Sequence, residues 1–406
     1  MKTPLLSILL PARNEFPNIV HTIYSILHCL EADGFDTLHD VEILVSNNVS
    51  NDEKWPQKAT GGTTDFLSAR GIYWTGILKY IYDPMAGNHQ TTNKLANLAR
   101  GKYVFRSDAH MAYAPGFFKR FIQTVDETQA VTHTGIHWMG TYPTEKRTLG
   151  IGYTWKLGEK ISATWNNYHL SNEWFYVPTQ GHAGVGMLRE TYKKIRGYNP
   201  LLKAYGGGEP YFDGKAWMLG IPVVAEPRCI SYHLSAGRGY SYHADDFMYN
   251  TFLAGFSLGA DMWVERMKIN SLRTGRKEVV EKLYDRAWDN CQEDRAWINK
   301  RKRLTFNQMM VERPWEQLNK EKLGVGGANL LIYHPTMLEL IANSPQALEA
   351  YKNSKYQQEL DLFIQQNLWD YVYHNDQYER REGKIYKRTS GSKEMEKESE
   401  PLVVYR

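Results

Sequence analysis

The first 110 residues alternate short apolar segments with segments of helical periodicity, and this pattern restricts the fold more than any other feature of the chain. The strand-like segments are LLSILLP (5–11), VEILVSNN (41–48), GILKYIYD (76–83) and KYVFRSD (102–108). Residues 16–32 repeat apolar side chains at helical spacing, and TTNKLANLARG predicts a second helix that closes at Gly101. Strands that alternate with helices predict an α/β fold with a parallel or mostly parallel sheet.

Polar residues follow three of these strand-like segments. Pro11 to Glu15 follow the first, Asn47 to Asp52 follow the second, and Asp108 to His110 follow the fourth. The carboxyl ends of parallel strands share one edge of the sheet, and ligands of open α/β sheets bind at that edge. We therefore expect a ligand site where these three segments meet.

Asp108 and His110 are two positions apart, so their side chains point to the same side of an extended chain. This arrangement suits a divalent cation. The alternative is that Asp108 caps the following turn and His110 is a half-buried, hydrogen-bonded histidine. A cation site needs a further ligand, and His233, which ends the apolar segment VVAEPRCISYH, is one candidate among the 13 histidines.

The composition is that of a globular protein. Of 406 residues, 42% are hydrophobic and 13% aromatic, which is enough for a full-sized core. The three cysteines are far apart and predict neither a disulfide framework nor a cysteine-based zinc site. No apolar run is long enough to span a membrane and the N-terminus lacks a signal-peptide pattern, so we expect a soluble, cytoplasmic protein. A net charge of +4 is too small to identify a partner.

The remainder of the chain changes character twice. From about residue 130 to 233 the pattern is irregular, with aromatic-rich loops and the glycine-rich segments GHAGVGM and YGGGEPYFDGKAWMLG. Helical periodicity then returns, and the last residues are charged and poor in apolar side chains. We predict a domain over 1–243, a helical C-terminal extension over 244–378 and a disordered tail over 379–406.

These segments, taken in order, resemble the nucleotide-sugar glycosyltransferases of the GT-A fold, and among them the polypeptide N-acetylgalactosaminyltransferase type. SILLPARNEFPNIVHTIYSIL is similar to their first strand, Asn-Glu turn and helix, and ILVSNNVSND to their nucleotide-binding turn. YVFRSDAH resembles their Asp-x-His metal motif, and AGVGMLRETYKKIRGYNPLLKAYGGGE follows their segment that ends in Gly-Gly-Glu. The resemblance covers residues 5–265. It implies a Rossmann-like GT-A sheet in which residues 1–110 bind the nucleotide sugar and residues 111–243 face the acceptor.

The resemblance also implies a metal site and a donor site. Asp108 and His110, with His233 in the place of the third ligand, would hold a cation that bridges the two phosphates of a UDP-sugar. One carboxylate and two imidazoles favour Mn²⁺ over Mg²⁺. The implied donor-binding residues are Pro11, Arg13, Glu15, Asn47, Asn48, Arg238 and Tyr240.

Glu209 and Asp213 are the candidate catalytic acids. Glu209 follows three glycines that let the backbone approach a ligand, and Asp213 lies one helical turn further on. The alternative is that both acids lie near a helix N-terminus, where the helix dipole favours them, with Pro210 at the first helical position.

The chain departs from the family pattern at two places. Asn47 and Asn48 replace an Asp pair, which leaves the preference for uridine open because an amide both donates and accepts. Pro210 stands where inverting relatives carry a second acid that acts as base, and this favours transfer with retention of configuration.

The acceptor is open at this point. The candidates are a hydroxymethylated pyrimidine in DNA, as phage-type DNA glycosyltransferases modify, a protein Ser/Thr side chain and a glycan precursor. The basic block Lys300 to Arg303 either contacts a nucleic-acid backbone or is a solvated helix face. From another class, the chain could be a non-catalytic module that binds a sugar nucleotide or a glycan, and the intact Asp108, His110, Glu209 and His233 argue against that reading.

Overall fold

The computed structural model describes residues 3–51, 62–63, 77–83, 87–141, 153–157, 163–165, 171–234, 242–324, 331–333, 344–358, 378–381, 384–387 and 403–404. The helices are α1 (Asn18–Ala32), α2 (Asn88–Leu98), α3 (Phe117–Thr128), α4 (Arg189–Ile195), α5 (Gly208–Met218), α6 (Ala244–Ser257), α7 (Asp261–Ser271), α8 (Lys277–Asn299), α9 (Phe306–Glu312), α10 (Pro314–Leu323) and α11 (Pro345–Lys352). The strands are β1 (Leu6–Ala12), β2 (Val41–Asn47), β3 (Leu78–Tyr82), β4 (Tyr103–Ser107), β5 (Met111–Tyr113), β6 (Val131–Trp138), β7 (Tyr153–Leu157), β8 (Ala163–Trp165), β9 (Phe175–Tyr176), β10 (Gly184–Leu188), β11 (Val223–His233), β12 (Leu331–Tyr333), β13 (Tyr378–Arg381), β14 (Lys384–Lys387) and β15 (Val403–Val404).

Among these elements, nine strands form the central sheet. Eight follow the order β3-β2-β1-β4-β10-β6-β11-β5, and β9 pairs with β11. β1 to β4 are parallel neighbours, as are β6 and β11, whereas β10 runs antiparallel between β4 and β6. β5 and β9 are antiparallel to β11. The predicted α/β fold with a mostly parallel sheet flanked by helices is therefore confirmed.

Helices cover both faces of the sheet because the central strands are apolar on both sides. In β1, Leu6, Ile8 and Leu10 pack with residues of α1 and α3, and Leu9 packs in the core on the other face. This alternation follows from the two-residue period of a strand. α1 places an apolar stripe against the sheet by spacing its buried isoleucines three or four residues apart.

The C-terminal helices pack on the sheet instead of forming a separate core. Leu9 and Leu44 of the sheet belong to the same apolar cluster as Tyr249 and Phe252 of α6 and Trp315 of α10. The boundary predicted at residue 243 stays a prediction. No helix in the part of the chain that is described is long and apolar enough to cross a membrane.

The segment with the irregular sequence pattern contains four strands of the central sheet, β6, β9, β10 and β11. In β6, VTHTGIHW, the residues from Val131 to His137 are all buried although four of them are Thr or His. Apolar and polar residues do not alternate in β6 because both faces of the strand are covered. Its Thr and His residues also interrupt the apolar run by which a buried strand is recognised. The expectation of irregular structure is wrong here.

Two local predictions differ from the structure. α2 ends at Leu98, before the predicted closure at Gly101. Gly101 instead allows its backbone to lie against β1, since a Cβ there would be 2.7 Å from the Ser7 amide nitrogen. Pro210 is the third residue of α5, which begins at Gly208. Its missing amide hydrogen still costs the helix nothing, because the first four amides have no partner within a helix.

Part of the predicted tail forms a small sheet. β14 pairs antiparallel with β13 and with β15. The other residues of 379–406 lie outside the described residues, and the prediction of a tail stays a prediction.

Candidate active site

Strand pairing at the carboxyl edge of the sheet brings Asp108, His110 and His233 together. Asp108 directly follows β4, His110 directly precedes β5, and His233 is the last residue of β11. β5 and β11 pair antiparallel with His233 opposite Met111, and the Leu234 amide donates to the His110 carbonyl at 3.1 Å. Two histidines separated by 123 residues in the chain therefore become neighbours.

The donor atoms of these three residues converge. One ligand atom from each lies within 4.8 Å of the others. The Nε2 atoms of His110 and His233 are 3.1 Å apart, and Asp108 Oδ2 lies 3.3 Å from His233 Nε2 and 3.9 Å from His110 Nε2. Two imidazole nitrogens and a carboxylate that face one another fit a divalent cation such as Mn²⁺, to which all three can donate lone pairs. The three side chains are between 16% and 24% exposed, so a ligand can reach them.

Two charged neighbours orient the cluster. Arg106 Nη2 donates to Asp108 Oδ1 at 2.6 Å, and Glu15 Oε2 lies 3.0 Å from His110 Nδ1. Burial raises the pKa of Asp108, but Arg106 and the two histidines hold it below its usual range. Burial lowers the pKa of His110, yet the hydrogen bond to Glu15 and the charge of Asp108 raise it overall. Because Glu15 occupies Nδ1, the Nε2 atom of His110 points to the cluster.

The predicted donor-binding residues fall at the same edge. Pro11, Arg13, Glu15, Asn47 and Asn48 lie at or just beyond the carboxyl ends of β1 and β2. Asn47 Oδ1 accepts from the Ser50 amide at 3.0 Å, and Asn48 Oδ1 accepts from the Thr91 hydroxyl at 2.6 Å. Both amide oxygens thus stabilise the turn. Arg238 and Tyr240 lie between residues 234 and 242, outside the described residues.

Asp83 belongs to this edge and was not predicted. It directly follows β3, is 3% exposed, and lies 3.2 Å from the Thr91 hydroxyl and 3.5 Å from Lys94 Nζ. The signal was present, because Asp83 is the last residue of the third strand-like segment and the rule that polar residues follow strands applies to it.

α5 delivers Glu209 toward the metal cluster. The residue before the helix, Gly207, is left-handed with φ 70°, and Gly208 lies against His89, since a Cβ there would be 2.0 Å from the ring. Burial lowers the pKa of His89 to about 4, although the charge of Glu209 opposes this. Glu209 also raises the pKa of Arg106, against the lowering effect of burial and together with Asp108. A single guanidinium therefore interacts with both Glu209 and Asp108.

Neither His89 nor Arg106 was predicted. Arg106 precedes Asp108 by two residues in the strand FRSD, so the same alternation that groups Asp108 with His110 also places Arg106 on their side. His89 left no signal, because its contact with Gly208 joins segments that are far apart in the chain.

Asp213 lies in a second cluster, which is buried. Its Oδ1 atom is 3.2 Å from His133 Nε2 and 3.3 Å from His182 Nε2, and its Oδ2 atom accepts from Thr179 Oγ1 at 2.8 Å and the Gln180 amide at 3.1 Å. Burial raises the pKa of Asp213, but the two histidines lower it below its usual range. Asp213 itself is 0% exposed. Its predicted role at the reacting atoms stays a prediction.

The second cluster is connected to the first turn of α5 through Tyr198. His182 Nδ1 hydrogen-bonds the Tyr198 hydroxyl, and the Tyr198 ring lies 4.9 Å from the His89 ring. Since His89 contacts Gly208, a chain of contacts runs from Asp213 to the first turn of α5.

Trp138 adds an aromatic surface beside the metal cluster. It pairs with His233 across parallel strands, so both side chains leave the sheet on the same face. Trp138 is 50% exposed. No sequence pattern indicated Trp138, because β6 was not recognised as a strand.

The N-terminal half of the chain is similar to a known family. Residues 7–195 match the family model described as glycosyl transferase family 2. This segment includes Asp108 and His110 and ends before Glu209. No curated protein matches the chain in sequence. The matched segment spans just under half of the chain, and within it the chain is similar to this family.

Among the solved structures similar to this chain, one supports the fold. A crystal structure of GalNAc-T7 with UDP, GalNAc and Mn²⁺ is similar with a TM-score of 0.53 and 14% identity, over 72% of this chain and 57% of that one. The chain thus spans just over half the length of that relative. TarS of S. aureus has a TM-score of 0.45 and 13% identity over 96% of each chain. The mannosyltransferase PcManGT of Pyrobaculum calidifontis, in complex with GDP-Man and Mn²⁺, has a TM-score of 0.42 and 13% identity over 91% and 88%. At 14% identity, the likeness to GalNAc-T7 establishes a GT-A-like fold and no more.

Proposed function

We propose that this protein is a metal-dependent glycosyltransferase that moves a hexose from a UDP-sugar to an acceptor hydroxyl with retention of configuration. One observation carries the proposal. The donor atoms of Asp108, His110 and His233 converge at the edge of the sheet where ligands bind, and the buried Arg106, which pairs with Asp108, also interacts electrostatically with Glu209.

Asp108, His110 and His233 would hold Mn²⁺, or Mg²⁺ in its place. When bound, the cation neutralises charge that develops on a departing nucleoside diphosphate. Mn²⁺ is the better fit, because Mg²⁺ prefers oxygen ligands and two of the three donors here are nitrogens.

The nucleotide half of the site couples to the metal half through Glu15. Glu15 belongs to the turn after β1, which with Pro11, Arg13, Asn47 and Asn48 would contact the nucleoside, and its carboxylate holds His110. Arg238 and Tyr240 would contact the diphosphate and the base from the segment after His233.

Glu209 is the acid proposed to face the transferred sugar or the acceptor hydroxyl. It is half-buried at the start of a helix, whereas Asp213 is fully enclosed. We therefore assign Asp213 to positioning α5. Pro210 carries no acid where an inverting enzyme has its base, and this supports retention.

The acceptor candidates are a hydroxymethylated pyrimidine in DNA, a protein Ser/Thr hydroxyl and a glycan precursor. The DNA hypothesis rests on the basic block Lys300 to Arg303 and on the many aromatic residues that could hold a base. In the structure, the Arg303 amide donates to the Met218 carbonyl at 2.7 Å, and the Arg301 guanidinium lies 4.6 Å from the Trp297 ring centroid. The first contact closes the end of α5 and the second places Arg301 against α8, and both favour a structural role for the block.

A matrix of donors and acceptors tests the function. The protein is incubated with Mn²⁺ and UDP-glucose, UDP-galactose, UDP-N-acetylglucosamine or UDP-N-acetylgalactosamine, each with hydroxymethylated duplex DNA, a Ser/Thr peptide or a neutral saccharide. Mass spectrometry should show that one acceptor gains one sugar. Neither transfer nor donor hydrolysis in any combination would contradict the proposal.

Glu209→Gln tests the assigned acid, and Glu190→Gln is its matched control because Glu190 is 65% exposed on α4. We expect turnover to fall about 100-fold or more in the first variant, which is typical of losing a positioned acid or base, and to stay unchanged in the second. For stereochemistry, the anomeric proton coupling of the product should match that of the α-linked donor. A coupling typical of a β-linkage would exclude retention.

A further inference from the structure

Three aromatic side chains cluster beside the loop that leads to Glu209. The Tyr205 ring lies 4.8 Å from the Tyr242 ring and 6.0 Å from the Phe247 ring, and Tyr242 and Phe247 are 6.4 Å apart. Tyr242 is 40% exposed. We refer to Tyr205, Tyr242 and Phe247 as the aromatic platform.

The loop that carries Tyr205 is held rigidly. Asn250 of α6 is 0% exposed, and its side chain accepts from the Lys203 amide at 2.6 Å and donates to the Tyr205 carbonyl at 2.8 Å. Gly206 has φ 98° and lies under Phe247, since a Cβ there would be 2.4 Å from the ring. A backbone fixed in this way presents its aromatic side chain without the loss of entropy that a mobile loop would suffer on binding.

The aromatic platform adjoins the proposed reaction site. Tyr205 precedes Glu209 by four residues, and the intervening glycines connect it to the first turn of α5. One short glycine-rich loop therefore carries both Tyr205 of the platform and the acid proposed to face the acceptor.

The charge around the platform is balanced. Among the described residues that flank it, Lys203 and Arg276 are offset by Asp245 and Asp246, and Arg276 pairs with Asp245 at 2.7 Å. A nucleic-acid backbone is bound by an excess of Lys and Arg, which these residues do not provide. A neutral molecule suits this surface better.

We infer that the aromatic platform binds a neutral saccharide as the acceptor. The faces of a pyranose ring carry C–H groups that pack on aromatic rings, and tyrosine hydroxyls can hydrogen-bond its hydroxyl groups. The assignment of the saccharide as the acceptor rests on the proposed function. Saccharide binding itself is measurable without any transfer.

Saturation-transfer NMR of the full chain with maltose, cellobiose and N,N′-diacetylchitobiose, without donor or metal, tests the binding. At least one disaccharide should bind, and Tyr242→Ala should weaken that binding about tenfold, in line with the loss of an aromatic contact. Tyr24→Ala is the matched control, because Tyr24 is 47% exposed on α1. It should bind like the unmodified protein.

Two results would overturn the inference. One is a disaccharide affinity that Tyr242→Ala leaves unchanged. The other is the binding of hydroxymethylated duplex DNA, but of none of the disaccharides. Loss of saccharide binding in Tyr242→Ala together with the absence of any transfer by the unmodified protein supports the platform and removes the proposed function.

Discussion

Two clusters of this protein contain one aspartate and two histidines each, and they differ in almost everything else. In the first, Asp108, His110 and His233 are 24%, 22% and 16% exposed. In the second, His133 and Asp213 are 0% exposed and His182 is 4% exposed. The same residue types therefore form an open site at a strand edge and a closed contact inside the core.

The hydrogen bonds explain the difference. Asp213 accepts four hydrogen bonds, two on each oxygen, so every lone-pair site of its carboxylate is used. In the open cluster, two imidazole nitrogens face each other at 3.1 Å and Glu15 has taken the other nitrogen of His110. The Asp213 carboxylate therefore has no lone pair left for a ligand, whereas the open cluster is suited to bind one.

The largest effect is expected from Asp108→Asn. Transfer should fall about 1000-fold, the loss typical of removing a group that stabilises transition-state charge. The free energy of unfolding should change by only about 1 kcal/mol, because the new amide oxygen can still accept from Arg106. Initial rates and urea unfolding measure the two quantities. A stable variant with unimpaired transfer would remove the open cluster from the mechanism.

Asp213→Asn should behave in the opposite way. An amide nitrogen would face either the two histidines or the two donors Thr179 and Gln180, which leaves buried groups unpaired and lowers the free energy of unfolding by about 3 kcal/mol. Transfer by the folded fraction should fall less than in Asp108→Asn. Urea unfolding without a detectable change would contradict a structural role.

Below neutral pH, His89 should make the protein less stable. Its pKa is about 4 in the folded protein, below the ordinary value of 6.5, so the unfolded chain binds the proton more readily. The contribution of His89 to the free energy of unfolding is fully present above pH 6.5 and decreases as the pH falls to about 4. The loss from this group is on the order of 3 kcal/mol.

In urea unfolding between pH 7 and 4, His89→Asn should show a shallower decline than the unmodified protein. His21→Asn, which changes an exposed histidine of α1, is the control and should keep the original slope. Identical slopes for the His89 variant and the unmodified protein would refute the assignment.

The smallest effect is expected from a chelator. In the Asp108→Asn variant, EDTA should leave the thermal midpoint unchanged, because Asp213 already accepts four hydrogen bonds and has no lone pair left for an ion. A lower midpoint after chelation would mean that His133, His182 and Asp213 bind a metal.

The sequence predicted the open cluster only in part. Asp108 and His110 follow an apolar strand-like segment, so local alternation was enough to group them. His233 was one histidine among 13, and only the resemblance selected it, because the pairing of β5 with β11 is a long-range contact without a local pattern.

The buried cluster could not be predicted as a unit. Its members come from β6, from the loop before β10 and from α5, and β6 was not recognised because its buried positions carry Thr and His. A helical position and a glycine-rich surrounding made Asp213 resemble a catalytic acid. Only the packed structure places four donors around it.

Mn²⁺ binding, counted by electron paramagnetic resonance in the presence of UDP, tests the central claim most directly. We predict one site per chain in the unmodified protein, one in Asp213→Asn and none in Asp108→Asn. Two sites in the unmodified protein, or one that survives Asp108→Asn and disappears in Asp213→Asn, would contradict the assignment of the open cluster as the metal site.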